Sequence, residues 1–184
     1  MEYLLRVVAI SITNYFHSRV LKNIKVRKLS GYLFLKLLLE NKKFKNKKYF
    51  LINPNLYEQK KNIKLLRSNN IFNFECYCSP MYNLSNYKDF KLLNKIKLFK
   101  ADFVIINLGG GIQEPIGEFL KMNLKKNTII FCTGAAISFL TKVQAPITLF
   151  YDKYYLGWLI RLIHKPTSYF PRVLKSFNLL KLFR

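Results

Sequence analysis

Two short apolar runs in the second half of the chain each end in a glycine turn. The first, Ala101 to Asn107, passes through Leu108 into Gly109-Gly110-Gly111, Ile112, Gln113 and Glu114. The second, Thr128 to Cys132, passes through Thr133 into Gly134-Ala135-Ala136. Neither run has helical periodicity, and each is followed at once by residues that allow tight turns and close backbone approach. In open parallel sheets, ligands bind just beyond the carboxyl ends of the strands, where such turns lie. The two turns therefore locate the expected site.

The rest of the chain supports an α/β reading, a Rossmann-like parallel sheet with crossover helices. Val7 to Ile12 reads as a first strand or buried element, and Lys22 to Arg27 as a basic extended piece. Ser30 is a good N-cap for a helix in which Leu33, Phe34, Leu37 and Leu38 are expected to share a face. The lysine cluster Lys42 to Lys48 reads as a solvated connector. A strand at Tyr49 to Ile52 follows, then a helix over Glu58 to Ser68, a strand at Asn73 to Tyr77 and a helix from Tyr87 to Phe99. The two featured strands then alternate with helices expected at Glu114 to Asn123 and Ala135 to Leu140, as crossover connections require. Residues 1–150 are expected to form the Rossmann-like domain and 151–184 a basic helical C-terminal appendage.

Charge narrows the partners. The 184 residues carry 32 Lys and Arg against nine acids, a net charge of +23 that favours anionic partners: nucleic acid, an acidic membrane or phosphorylated substrates. Lysine is abundant alongside Asn, Ile and Phe, a pattern that an A- and T-rich genome also produces, so composition and function both stay open as its source. Half the residues are hydrophobic and 16% aromatic, which excludes a disordered polybasic tail. Nucleic-acid binding is disfavoured, because the charges are scattered and no recognisable binding motif accompanies them. Residues 153–184 hold seven Lys and Arg and no acid, interleaved with Tyr154, Tyr155, Trp158, Leu159, Leu162 and Ile163. That pattern suits an interfacial helix on anionic lipid, and equally a stripe docked on the protein's own sheet.

Cys76, Cys78 and Cys132 form neither a disulfide framework nor a zinc site, which points to a reducing cytoplasm. No run reaches the roughly 18 to 20 apolar residues of a membrane span, and Tyr3 to Ile12 reads as a strand rather than a signal.

The chemistry concentrates at the first turn. Gly109, Gly110 and Gly111 offer open backbone N–H groups at a helix N-terminus, a cradle for phosphate or sugar oxygens. The pattern is neither a dinucleotide fingerprint nor a P-loop. Gln113 and Glu114 place an amide and a carboxylate at the rim, suited to hydroxyls, although Glu114 also favours a helix N-terminus electrostatically, with Pro115 in the first turn. Scarce acids, no D-x-D pair and no histidine cluster argue against metal chemistry. A leaving diphosphate would then be met by backbone donors and by Arg161 and Arg172.

The runs L-G-G-G-I-Q-E (108–114), T-G-A-A-I-S-F-L (133–140), A-P (145–146) and G-W-L-I-R-L-I-H-K-P (157–166), with Arg172, resemble the WecG/TagA/CpsF glycosyltransferases in order and spacing. Arg27 to Gly31 resembles the R-x-x-G element of that family. The resemblance implies an inverting, metal-independent transferase without a cofactor. Such an enzyme would move an N-acetylmannosamine-type sugar from a UDP donor to a polyprenyl-diphosphate-linked sugar in cell-surface polysaccharide synthesis. Its implied place is the cytoplasmic face of the inner membrane, reached peripherally through 153–184, and a homo-oligomer is compatible with it. Gly31, Asn107, Gly109, Gly110, Gly111, Gly134, Ala135, Arg161 and Arg172 would bind substrate, with Gln113 and Glu114 as catalytic candidates.

The sequence departs from the pattern. Gly111 stands for its proline, Ser138 for its Asp, Gln144 for its Arg before Ala-Pro, Gly157 for its Glu, and Thr167 and Ser168 for paired arginines. The N-terminal Asp expected as base would fall near Ala9 to Ser11, where no acid stands. The readings left open are a shortened or decayed copy, an enzyme using Glu114 or another group, and a non-catalytic membrane-surface interaction protein of the same fold.

Overall fold

The computed structural model describes residues 30–125, 127–144, 150–151, 156–164, 166–167 and 170. The elements expected within 1–29 and beyond 170, and the positions Arg172, Tyr154 and Tyr155, lie outside the described residues. So do the side chains of Trp158 and Arg161.

Four strands form one parallel sheet. In chain order the elements are α1 (Gly31–Glu40), a short 3-10 turn (Lys42–Phe44), β1 (Tyr49–Asn53), α2 (Leu56–Ser68), β2 (Phe74–Cys78) and α3 (Phe90–Phe99). They continue with β3 (Phe103–Ile106), α4 (Gln113–Asn123), β4 (Ile129–Cys132), α5 (Ala136–Leu140) and α6 (Gly157–His164). The strand order is β2-β1-β3-β4, every pairing parallel. This is the Rossmann-like α/β arrangement, and its order reverses between β1 and β3. The carboxyl ends of those two strands therefore flank the crevice where such sheets bind ligands.

The central strands are buried on both faces, as parallel strands under helices must be. Their alternation splits the core in two. Phe50, Ile52, Val104 and Ile106 point to one face and pack under Leu92, Leu93 and Ile96 of α3 and Ile116, Phe119 and Leu120 of α4. Tyr49, Leu51, Phe103 and Ile105 point to the other, under Leu35, Leu38 and Leu39 of α1, Leu66 of α2, and Ala136 and Ile137 of α5. An aromatic ladder runs through this second layer. Phe103 stacks edge-on against Tyr49, Phe44 and Phe131 at 5.3, 5.5 and 5.6 Å, and Phe131 continues to Phe34 at 5.1 Å.

Three expectations need correcting. The buried stripe of α1 is Leu35, Leu38 and Leu39, whereas Leu37 is 53% exposed. In a run as uniformly apolar as Tyr32-Leu33-Phe34-Leu35, periodicity cannot choose a face, and packing against α5 and the sheet decides it. Helix α3 starts at Phe90 rather than Tyr87, because Asp89 caps it by accepting from the Leu92 N–H at 2.8 Å. The lysine connector is only partly solvated. Lys45 Nζ donates to the carbonyls of Leu39 and Asn69, at the carboxyl ends of α1 and α2, where orphan carbonyls and the helix dipole both favour a cation.

Candidate functional site

The helices run antiparallel to the strands, so the amino termini of α1, α2, α3 and α4 gather at the carboxyl edge of the sheet. Two backbone turns stand there. Gly109, Gly110 and Gly111 are exposed, and an added Cβ at any of them would meet nothing within 4 Å. Gly111 has φ +87° and Gly134 φ +57°, left-handed values that disfavour any side chain. The N–H groups of Gly109 and Gly110 have no partner among the described residues.

The two glycine turns are one structure. Gln113, buried at the start of α4, reaches across to the second turn, and its Oε1 accepts from the Gly134 N–H at 2.6 Å. Its Nε2 donates to Glu114 Oε1 at 2.9 Å, and Glu114 Oε2 accepts from the Gly111 N–H at 2.7 Å. Buried Gln113 and exposed Glu114 thus brace both turns, while the Gly109 and Gly110 N–H groups are left out of this bridge. Glu114 also stands in the first turn of α4, the favourable place for a negative charge, ahead of Pro115. Beneath this bridge the thiol of Cys132 contacts the Gln113 carbonyl at 3.5 Å. Burial, and secondarily the Glu114 carboxylate, push that thiol up to about 11, so it is no thiolate nucleophile at neutral pH.

Of the other expected residues, Gly31 opens α1 beside the second turn, where an added Cβ would lie 3.2 Å from that of Ala136. Ala135 precedes α5 with its backbone in the same turn. Asn107 is not a rim residue. It is 3% exposed and belongs to a buried amide cluster, its Nδ2 donating to Asn53 Oδ1 at 3.2 Å beside Asn62 Nδ2 at 2.7 Å. Sequence reasoning missed Asn53, Asn62 and Glu58. The Asn53-Pro54-Asn55 turn and the Asn55-x-x-Glu58 cap were the available signals, and the structure uses that cap: Asn55 Oδ1 accepts from the Glu58 N–H at 2.8 Å, and Asn55 Nδ2 donates to Glu58 Oε1 at 3.2 Å. Ser138 Oγ donates to Glu58 Oε2 at 2.8 Å, linking α5 to α2. Among the described residues no group of three or more His, Cys, Asp or Glu is placed to hold a metal ion.

Residues 6–184 match the model of the glycosyl transferase WecG/TagA/CpsF family. The chain belongs to this family. No curated protein and no solved structure matches it significantly. As a WecG/TagA/CpsF member it is a glycosyltransferase by descent, with a sugar donor and an acceptor as partner classes. Ser138, which stands where the resembled pattern has Asp, donates to the carboxylate of Glu58 on α2, so a negative charge is present beside that turn from a different element.

Proposed function

We propose that this chain transfers an N-acetylmannosamine-type sugar from a UDP donor to a polyprenyl-diphosphate-linked sugar during cell-surface polysaccharide assembly. The observation that carries the reading is the bridged pair of glycine turns after β3 and β4, next to the strand-order reversal. Gln113 and Glu114 fix the turns, and the open Gly109 and Gly110 N–H groups suit the donor diphosphate. Backbone donors of this kind stabilise the charge that builds on a departing diphosphate, because they are already oriented before it forms. Arg161 and Arg172 would complete that electrostatic clamp. Work at the cytoplasmic face of the membrane fits a chain of net charge +23 whose Ile163 and Phe170, at the basic C-terminal end, are 70% and 55% exposed. No helix among the described residues is long and apolar enough to cross a membrane.

The experiment is calorimetric UDP binding followed by a transfer assay with UDP-N-acetylmannosamine and a lipid-linked acceptor. Binding with transfer supports the full reading. Absence of both binding and transfer overturns it. Binding without transfer supports a non-catalytic family member acting at the membrane surface, a reading favoured by the lack of an acid at Ala9 to Ser11.

A further inference from the structure

β2 ends the sheet on the side away from the glycine turns, and its outer line of backbone groups has no strand to meet among the described residues. The Tyr49 N–H donates to the Asn73 carbonyl and the Ser79 N–H to the Asn53 carbonyl, which fixes the phase of the parallel ladder with β1. Alternate residues of a strand present their backbone groups to the same neighbour. Glu75 and Tyr77 therefore bond to β1, and Phe74, Cys76 and Cys78 turn outward. The Phe74 N–H closes a local turn onto the Phe72 carbonyl at 3.2 Å. The Phe74 carbonyl and both backbone groups of Cys76 and Cys78 have no partner among the described residues.

Exposed edges are usually blunted by charge, proline or a covering element. This strand carries a single charge, Glu75, and no residue of it is buried. Large apolar side chains flank both of its ends. Phe72 and Leu98 of α3 stand exposed at the amino end, Leu98 at 83%, and Met81 and Leu84 at the carboxyl end, Met81 at 96%. Between β2 and the last turns of α3 an open cleft of about 440 Å³ is lined by Lys48, Glu75, Lys95, Leu98 and Phe99. The Lys95 ammonium lies 5.6 Å from the centre of the Tyr77 ring, and the Lys48 ammonium 5.7 Å from that of Phe99. None of the three charges of the cleft is in an ion pair among the described residues.

We propose that the β2 edge pairs with the β2 edge of a second copy, antiparallel about a two-fold axis at Cys76, so that two sheets become one. The free groups dictate the register. With Cys76 opposite Cys76, the two residues exchange both N–H···O bonds, and each Cys78 N–H meets the Phe74 carbonyl of the other copy, so every free N–H finds an acceptor. The same register sets Glu75 opposite Tyr77 as a closely spaced cross-strand pair. That brings the carboxylate to the Lys95 ammonium lying over the same ring, once on each side of the axis. The amino end of each strand meets the carboxyl end of the other, which sets Phe72 and Leu98 against Met81 and Leu84. These flanks enlarge a contact that the short strand alone would leave below the size of a stable interface. Two chains of net charge +23 repel, but physiological salt screens that repulsion beyond about 8 Å, and the edge contacts act within it. A two-fold contact closes on itself, whereas pairing β2 with β4 would be head-to-tail and could grow without limit.

Sedimentation velocity on the full chain over a range of concentrations, at about 0.15 M salt, tests it, with hydrogen exchange of residues 74–78 as the second readout. A monomer–dimer equilibrium is expected, and the 74–78 amides are expected to exchange more slowly as the dimer fills. Glu75→Lys and Lys95→Glu, both at exposed positions, are each expected to raise the dimer dissociation constant about tenfold, because like charges then face each other on both sides of the axis. The double variant restores opposite charges and is expected to return to within about threefold of the wild-type constant. A chain that stays monomeric throughout, or that grows past the dimer, overturns the proposal. So does a dimer whose 74–78 amides exchange as fast as the monomer's, or a double variant no tighter than the single ones.

Discussion

Gln113 is the side chain on which the pocket rim depends most. Its amide hydrogen-bonds the turn after β3 to the turn after β4, and the Gly134 N–H it binds lies in a left-handed turn. Gln113→Ala leaves that donor without its partner and frees both turns. The expected result is a loss of about 1–3 kcal/mol in chemical denaturation, with UDP binding weakened beyond what the stability loss explains. Gln113→Glu keeps an acceptor for Gly134 but loses the donor to Glu114 and sets two carboxylates side by side. Its defect is therefore expected to shrink as pH falls and one carboxylate protonates, whereas that of the alanine variant is not. Calorimetry across the acid range distinguishes them. The sequence led us to expect Gln113 and Glu114 at the rim; that Gln113 is buried and the pair braces the turns is a matter of which backbone groups lie within 3 Å, which no local pattern encodes.

At the scale of elements, close packing of α4 on β4 sets the height of the first turn over the sheet. A Cβ at Gly117 would lie 2.6 Å from Cys132 Sγ, so the helix sits at glycine distance from the strand. Gly117→Ala is expected to cost about 1–3 kcal/mol through overpacking. The double variant with Cys132→Ala, which removes the opposing sulfur, is expected to recover most of it in a double-mutant cycle. The segment between β2 and α3 is held differently. Tyr77 and Tyr82 both donate to Asp89 Oδ2 at 2.7 Å while Asp89 Oδ1 caps α3. Burial alone would raise the Asp89 carboxyl, but the Leu92 N–H and the Tyr82 and Tyr77 hydroxyls outweigh it and hold it below its ordinary range. Burial, then Asp89, push Tyr77 up to about 12. A lowered folded pKa stabilises above the ordinary carboxylate value and is lost as pH falls through and below it. The melting-temperature deficit of Asp89→Asn is accordingly expected to be full near neutral pH and to fade below about pH 4. The raised tyrosine acts at the other end, its stabilisation disappearing as pH climbs from about 10 toward 12.

Over the whole molecule the charge has a direction. Helix amino termini meet at the carboxyl edge, and Lys45 and Lys48 reach helix-end carbonyls at the opposite edge, so part of the lysine excess serves the fold. Others stay in solvent on α2 and α3, where Lys60, Lys61, Lys64, Lys91, Lys95 and Lys97 are exposed. A protein so charged is expected to float with vesicles containing anionic lipid and to leave them as salt rises from about 0.1 M to about 1 M, where the Debye length shrinks to about 3 Å. Binding of equal strength to neutral vesicles would assign the attachment to apolar side chains instead.

The strand-helix alternation and the two glycine turns were legible in the chain itself, because strand periodicity, caps such as Ser30 and glycine turns are local signals. The family pattern after Val104 was legible for the same reason, since its spacing survives its substitutions. Local signals could not say which side of α1 is buried, or that the turns at Gly111 and Gly134 are bridged through Gln113. Nor could they show that Asn53, Asn62 and Asn107, up to 54 residues apart, share one hydrogen-bonded hub. Those facts follow from the order β2-β1-β3-β4, which sets distant strand ends beside one another. Sequence determined the parts, and tertiary structure decided how they are joined, because only packing decides which distant polar groups come within hydrogen-bond distance.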